Sequence, residues 1–246
     1  MPGMQCSERK DCIMKPYCFW DMDHTLIDND CDVSWKVFLV EEGLAPQQTL
    51  EEAEGFFQDY LAGRLDVEAF LRFQLKEFRH RRVEEMTELS RRHFSRKVAG
   101  RFYREAVDLI RRQQRAGSKV YLLTATNRVI AQPVAEALGL DDIIATELAL
   151  DNGVYTGALA GIYSVGEGKL ARLKQFCAQH GISADDCAAW GDSINDRFVL
   201  DWVGAPHAVN PGRELATLAK ERGWSVVYFR ETGNPDAWGN MTREGP

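Results

Sequence analysis

From Glu105 to Phe229 the chain switches repeatedly between helical and strand-like periodicity, and no other feature narrows the fold as far. Ala106–Arg115 reads as a helix stopped by Gly117, and Lys119–Leu123 as a β-rich run ending at Thr124. Arg128–Leu138 reads as a helix closed by Gly139, followed by a short strand over Ile143–Thr146. Asp151-Asn152-Gly153 is a hairpin-turn signal. Lys169–His180 is a further helix, closed by Gly181, and Cys187–Trp190 a buried strand reaching Gly191-Asp192. Ala205–Val209 and Ser225–Phe229 are strand candidates, with a helix over Arg213–Glu221 between them. Such alternation calls for a mainly parallel sheet covered by helices, an α/β fold.

The segment before Glu105 is different. One apolar run, Lys15–Trp20, reads as a buried strand, and Val33 to Phe102 then reads as almost continuous helix. Asp66 is placed as an N-cap, Gly63 as a helix stop, and Asp32 as the cap of the helix at Ser34. The aromatic residues Trp35, Phe38, Phe56, Phe57, Tyr60, Phe70 and Phe73 would form the core of this helical block. Its arginines, Arg79, Arg81, Arg82, Arg91, Arg92 and Arg96, read as a solvated face. The stretch from Glu231 onward reads as irregular.

Composition excludes several classes. The formal net charge of −7 argues against a broad nucleic-acid surface. No apolar run is long enough for a membrane span, and Met1 to Met14 lacks the apolar core of a secretory signal. The six cysteines contain no Cys-x-x-Cys pair, which argues against zinc and against a disulfide framework. Cys18 and Cys187 read as small core residues, and a cytoplasmic location is expected.

Asp21-Met22-Asp23-His24-Thr25 follows the first strand directly. Two carboxylates at the end of a buried strand are costly unless a cation offsets them. Mg2+ suits the task, since it takes oxygen ligands and keeps positions open for phosphate and water. Three further polar stops occur at strand or helix boundaries: Thr124-Ala125-Thr126-Asn127, Gly166-Glu167-Gly168-Lys169, and Gly191-Asp192-Ser193-Ile194-Asn195-Asp196. Ligands of open parallel sheets sit beyond the C-terminal strand ends, where these segments would converge.

Asp-x-Asp-x-Thr, a Thr after the second strand, a Lys at a helix start and a later Gly-Asp-Ser-x-x-Asp resemble the four-motif pattern of the haloacid dehalogenase superfamily. Leu123–Asn127, Ala145–Leu148, Tyr155–Gly157 and Gly166–Lys169 look like its phosphoserine-phosphatase branch. The resemblance implies a Rossmann-like core over residues 15–30 and 98–232. It implies an inserted helical cap of C1 type over 31–97, with terminal arms at 1–14 and 233–246. It further implies that Asp21 is the nucleophile, forming an aspartyl-phosphate, and that Asp23 is the acid and base. Thr124, Ala125 and Lys169 would hold phosphate, and Asp21, Asp192 and the Asp23 backbone carbonyl would hold Mg2+. Asn195 and Asp196 would support the metal. The second Asp argues against carbon–halogen cleavage, and the large insert against a phosphomutase.

The substrate would be a small phosphorylated metabolite, chosen by the insert. Asp28 and Asp30 lie where the chain leaves the core, and could receive a substrate amine. In phosphoserine phosphatases the position of Asp30 is typically Glu, and Thr124-Ala125-Thr126 often Ser-Gly-Gly. Histidinol phosphate is a second candidate. His24 occupies the variable position of its motif and is given no catalytic role. A phosphate-binding protein without turnover is the reading from another class; Asp21 together with Asp23 argues against it.

Overall fold

The computed structural model describes residues 14–61, 64 and 66–238. Cys6, Cys12, Gly63, the side chain of Tyr60 and most of both expected terminal arms lie outside the described residues.

A six-stranded parallel sheet forms the centre. Its strands are β1 (Tyr17–Trp20), β3 (Lys119–Asn127), β4 (Asp142–Thr146), β7 (Cys187–Gly191), β8 (Ala205–Val209) and β9 (Ser225–Val227). Their order is β4-β3-β1-β7-β8-β9. The chain builds outward from β1 on one side and then on the other, which opens a crevice at the C-terminal end of β1, between β3 and β7. Side chains alternate across the sheet. Cys18 and Trp20 face one core, with α5 (Arg104–Arg115) and α6 (Arg128–Leu138). Phe19 faces the other, with α7 (Glu167–His180), α8 (Arg197–Trp202) and α9 (Arg213–Arg222).

Helix ends follow the local signals. Gly139 and Gly181 close α6 and α7 in the left-handed conformation, which glycine adopts without a Cβ penalty. The hairpin β5 (Leu148–Asp151) to β6 (Val154–Leu159) turns at Asn152 and Gly153, both at positive φ.

Between β1 and the short β2 (Phe102–Tyr103) stand α1 (Cys31–Glu41), α2 (Gln48–Leu61), α3 (Val67–Leu75) and α4 (Val83–His93). One wide π-helical turn, Phe94–Val98, then leads back to the sheet. The N-cap of α1 is Asp30, whose carboxylate accepts the Val33 N–H, and not Asp32 as expected. The helix starts two residues earlier than the apolar pattern suggested, because Cys31 is buried and joins its first turn. Asp66 caps α3 as expected.

The insert is not separated from the sheet by a polar layer. Trp35, Phe38 and Phe78 belong to the same buried cluster as Trp20 and Leu122. Phe56 packs instead on Phe70 and Phe73, and Phe57 is exposed. The insert also grips the hairpin: His80 donates to the Tyr155 carbonyl, and Tyr155 donates to that of Arg81. The expected irregular end is partly ordered. Thr232–Gly233 (β10) pairs antiparallel with β2, a contact across more than a hundred residues that local sequence does not encode.

Candidate active site

The crevice is a cavity of about 160 Å³. Asp21, Asp23, His24, Thr124, Ala125, Lys169, Asp192, Asn195 and Asp196 all line it. They arrive on four segments: the turn after β1, the end of β3, the first turn of α7 and the turn after β7. Asp21 is the first residue beyond β1, and its N–H donates to the Trp190 carbonyl of β7. The indole rings of Trp20 and Trp190 stack 4.4 Å apart and nearly parallel, fixing the register of β1 and β7 behind the two aspartates that follow. His24 has φ 57°, a left-handed turn that folds the chain back toward the crevice.

Lys169 is buried and sits between two carboxylates, donating to Asp21 Oδ1 and to Asp196 Oδ1 at 2.6 Å each. Burial works against its charge, yet Asp196 and Asp21 raise its pKa above that of an ordinary lysine. The Thr25 hydroxyl lies between Asp21 Oδ2 and Asp192 Oδ1, at 3.2 and 3.1 Å. The Thr124 hydroxyl accepts the Thr126 N–H, which leaves its own proton free to donate. Asp196 accepts the Ser193 N–H and hydroxyl, closing the turn that presents Asp192.

One lysine does not balance this many carboxylates. Burial, then Asp21 and Asp196, pushes Asp192 up to about 9. For Asp21, burial outweighs the attraction of Lys169, and its pKa is raised. Among the described residues, carboxylate oxygens of Asp21, Asp192 and Asp196 lie within 4.8 Å of one another. An all-oxygen anionic set of this kind fits a hard divalent cation, whose charge would reverse those shifts. Asp196, expected only as a support, is thus part of the set. The Asp23 side chain is not.

Asp23 is turned toward the insert. Its Oδ1 accepts the Cys31 N–H and its Oδ2 the Thr126 hydroxyl, at 2.8 Å each. Burial, then the charges of Asp30, Asp21 and Asp32, raises its pKa well above the carboxylate range. Asp28 is occupied elsewhere, accepting the Tyr103 hydroxyl at 3.2 Å. Asp32, expected as a helix cap, instead acts on the charge of Asp23. It is pushed up to about 7, by burial first and then by Asp30. The Asp-x-Asp spacing at positions 30 and 32 was the available signal.

The sequence profile of the haloacid dehalogenase-like hydrolases matches residues 18–201. The chain belongs to that family. A histidinol-phosphatase of Neisseria meningitidis is 35% identical over 222 residues, covering 88% of this chain and 100% of that one. A phosphoserine phosphatase of Mycobacterium tuberculosis is 30% identical over 221 residues, covering 86% and 70%. A crystal structure of a protein of unknown function from Bordetella pertussis superposes with a TM-score of 0.79 at 31% identity, covering 87% of this chain and 98% of that one. Family and fold agree with the four-motif reading, and the chain is a phosphatase-type hydrolase with close phosphatase relatives. No helix among the described residues is long and apolar enough to cross a membrane.

Proposed function

We propose that the protein is a Mg2+-dependent phosphomonoesterase of a small amino-alcohol phosphate, with histidinol phosphate preferred over phosphoserine. Asp21 would attack phosphorus as the bond to the alcohol oxygen breaks. The raised pKa of Asp23 supports its role as the acid that protonates the departing alcohol. Asp23 would then take a proton from the water that hydrolyses the aspartyl-phosphate. The Thr124 hydroxyl, the Ala125 backbone and Lys169 would hold the phosphoryl oxygens, with Lys169 offsetting charge. Asp21, Asp192 and Asp196, together with the Asp23 carbonyl, would hold Mg2+, which supplies charge neutralisation between nucleophile and phosphate. The insert would act as a cap that excludes water.

The acidic wall above Asp23 carries the substrate assignment. Asp30 and Asp32 both act electrostatically on Asp23, and in this reading they would present negative charge to the leaving group. Lys36 acts on Asp32 but is bonded to Glu77; Arg92 and Arg96 pair with Glu42, Arg81 with Glu85, and Lys97 with Glu41. Among the described residues lining the cavity, Lys169 is the one Lys or Arg, and Asp21 and Asp196 already hold it. Such a wall attracts an amine and repels a carboxylate. Phosphoserine carries both groups; histidinol phosphate carries an amine and an imidazole without a carboxylate. The histidinol-phosphatase relative supports the same choice.

Purified protein assayed with histidinol phosphate, phosphoserine and an aryl phosphate, with Mg2+ and with chelator, tests this reading. We expect kcat/KM for histidinol phosphate to exceed that for phosphoserine by about tenfold or more. Preference for phosphoserine would overturn the substrate assignment. Hydrolysis undiminished by chelator would overturn the role of the metal.

A further inference from the structure

Thr146 lies in the Ala145–Leu148 stretch, which the proposed reaction leaves without a task. It is buried at the C-terminal end of β4. The β3–β4 pairing runs regularly to Leu123 against Ile144, then shifts and resumes at Asn127 against Thr146. Thr124, Ala125 and Thr126 therefore bulge out of the ladder, and Thr124 and Ala125 line the cavity. The Ala125 carbonyl accepts the Thr146 hydroxyl at 2.6 Å. The Thr146 oxygen in turn accepts the N–H of Ser164 at 3.2 Å. Ser164 also lines the cavity, on the loop that leads into α7 and Lys169. One hydroxyl thus joins the two segments that carry the phosphate-holding groups.

We propose that Thr146 is a positioning residue for phosphate binding. Its hydroxyl holds the bulged Ala125 peptide and the Ser164 loop at a fixed spacing, so that Thr124, Ala125 and Lys169 meet the same phosphoryl group. A hydroxyl suits the place because it donates and accepts at once. Valine would fill the same space but leave a carbonyl and an N–H without this partner. The inference rests on the phosphatase reading and not on the identity of the substrate.

The test compares T146V and T146S with wild type, using an aryl phosphate as substrate and inorganic phosphate as competitive inhibitor. T146V is expected to raise KM and the inhibition constant for phosphate together, by about tenfold, with kcat less affected. T146S, which keeps the hydroxyl, is expected to stay within about threefold of wild type on both. Unchanged constants in T146V, or equal impairment in T146S, would overturn the proposal. Should T146V not fold, T146A makes the same comparison without a second methyl to place. Calorimetric titration with inorganic phosphate reads the effect without turnover. An inactive wild type that still binds phosphate more tightly than T146V would sink the phosphatase reading alone.

Discussion

The crevice at the end of β1 and the helical insert beside it both contain ion pairs, and the two sets differ in kind. In the crevice, Lys169 is buried against Asp21 and Asp196, while Asp192 pairs with no further Lys or Arg among the described residues. In the insert most pairs among the described residues are exposed, such as Arg72 with Glu68 four residues apart, and Glu42 takes both Arg92 and Arg96. The exception is Lys36, 1% exposed, which donates to Glu77 and to the Phe73 and Gln74 carbonyls at the end of α3. Imbalance marks the place that can recruit a cation and a phosphate. Balance marks charge used for solubility or, when buried, for docking helices.

The comparison breaks first at Asp21. Asp21→Asn removes the proposed nucleophile and is expected to lower kcat/KM by on the order of 10⁴-fold while leaving the fold intact, read by steady-state assay beside circular dichroism. Undiminished turnover in that variant would place the chemistry elsewhere. Glu77→Ala strands the buried Lys36 charge and should cost about 3 kcal/mol in urea unfolding; Lys36→Met with Glu77→Leu should recover most of it.

His93 sharpens the contrast through pH. It is buried in the insert against Trp35 and Phe38, beside the Ser34 hydroxyl, and burial, then Lys97, lowers its pKa from 6.5 to about 4. The unfolded chain therefore takes up this proton first as pH falls. The stabilisation is complete above about 6.5 and is lost as pH drops toward 4. Wild type should lose about 3 kcal/mol more than His93→Gln across that window, measured by unfolding at each pH. Parallel pH profiles would refute it.

Asp32→Asn should raise KM for histidinol phosphate by about tenfold and leave the aryl phosphate nearly unchanged. Equal effects on both substrates would remove Asp32 from recognition. Arg72→Ala, at an exposed helix pair, should change stability by no more than about 0.5 kcal/mol.

The legible part of the chain was the part with local codes. The apolar run ended where β1 ends and one residue before the end of β7, while β3 ran on from Leu123 to Asn127; Gly139, Gly181 and Asn152-Gly153 punctuated the core correctly. The helical insert was harder to read. Asp30, Asp32 and Ser34 all suit an N-cap, and the choice fell to Asp30 because Cys31 packs inward. The buried fates of Lys36 and His93 carry no local signal, since polar residues on a helix are usually solvated.

By itself the sequence determined the α/β alternation and the chemical types at each strand end, because backbone propensity and turn geometry act over a few residues. It also carried the pair Asp21 and Asp23 in a form that few functions other than phosphate chemistry would use. Tertiary structure alone decided that Lys169 bridges Asp21 and Asp196, that Asp196 joins Asp21 and Asp192 in the carboxylate cluster that could hold a cation, and that Asp32 comes near Asp23. It also decided that Thr146 mends the bulge at Ala125. Each of these joins segments remote in sequence, and their energies depend on burial and distance, which exist only once the chain has packed.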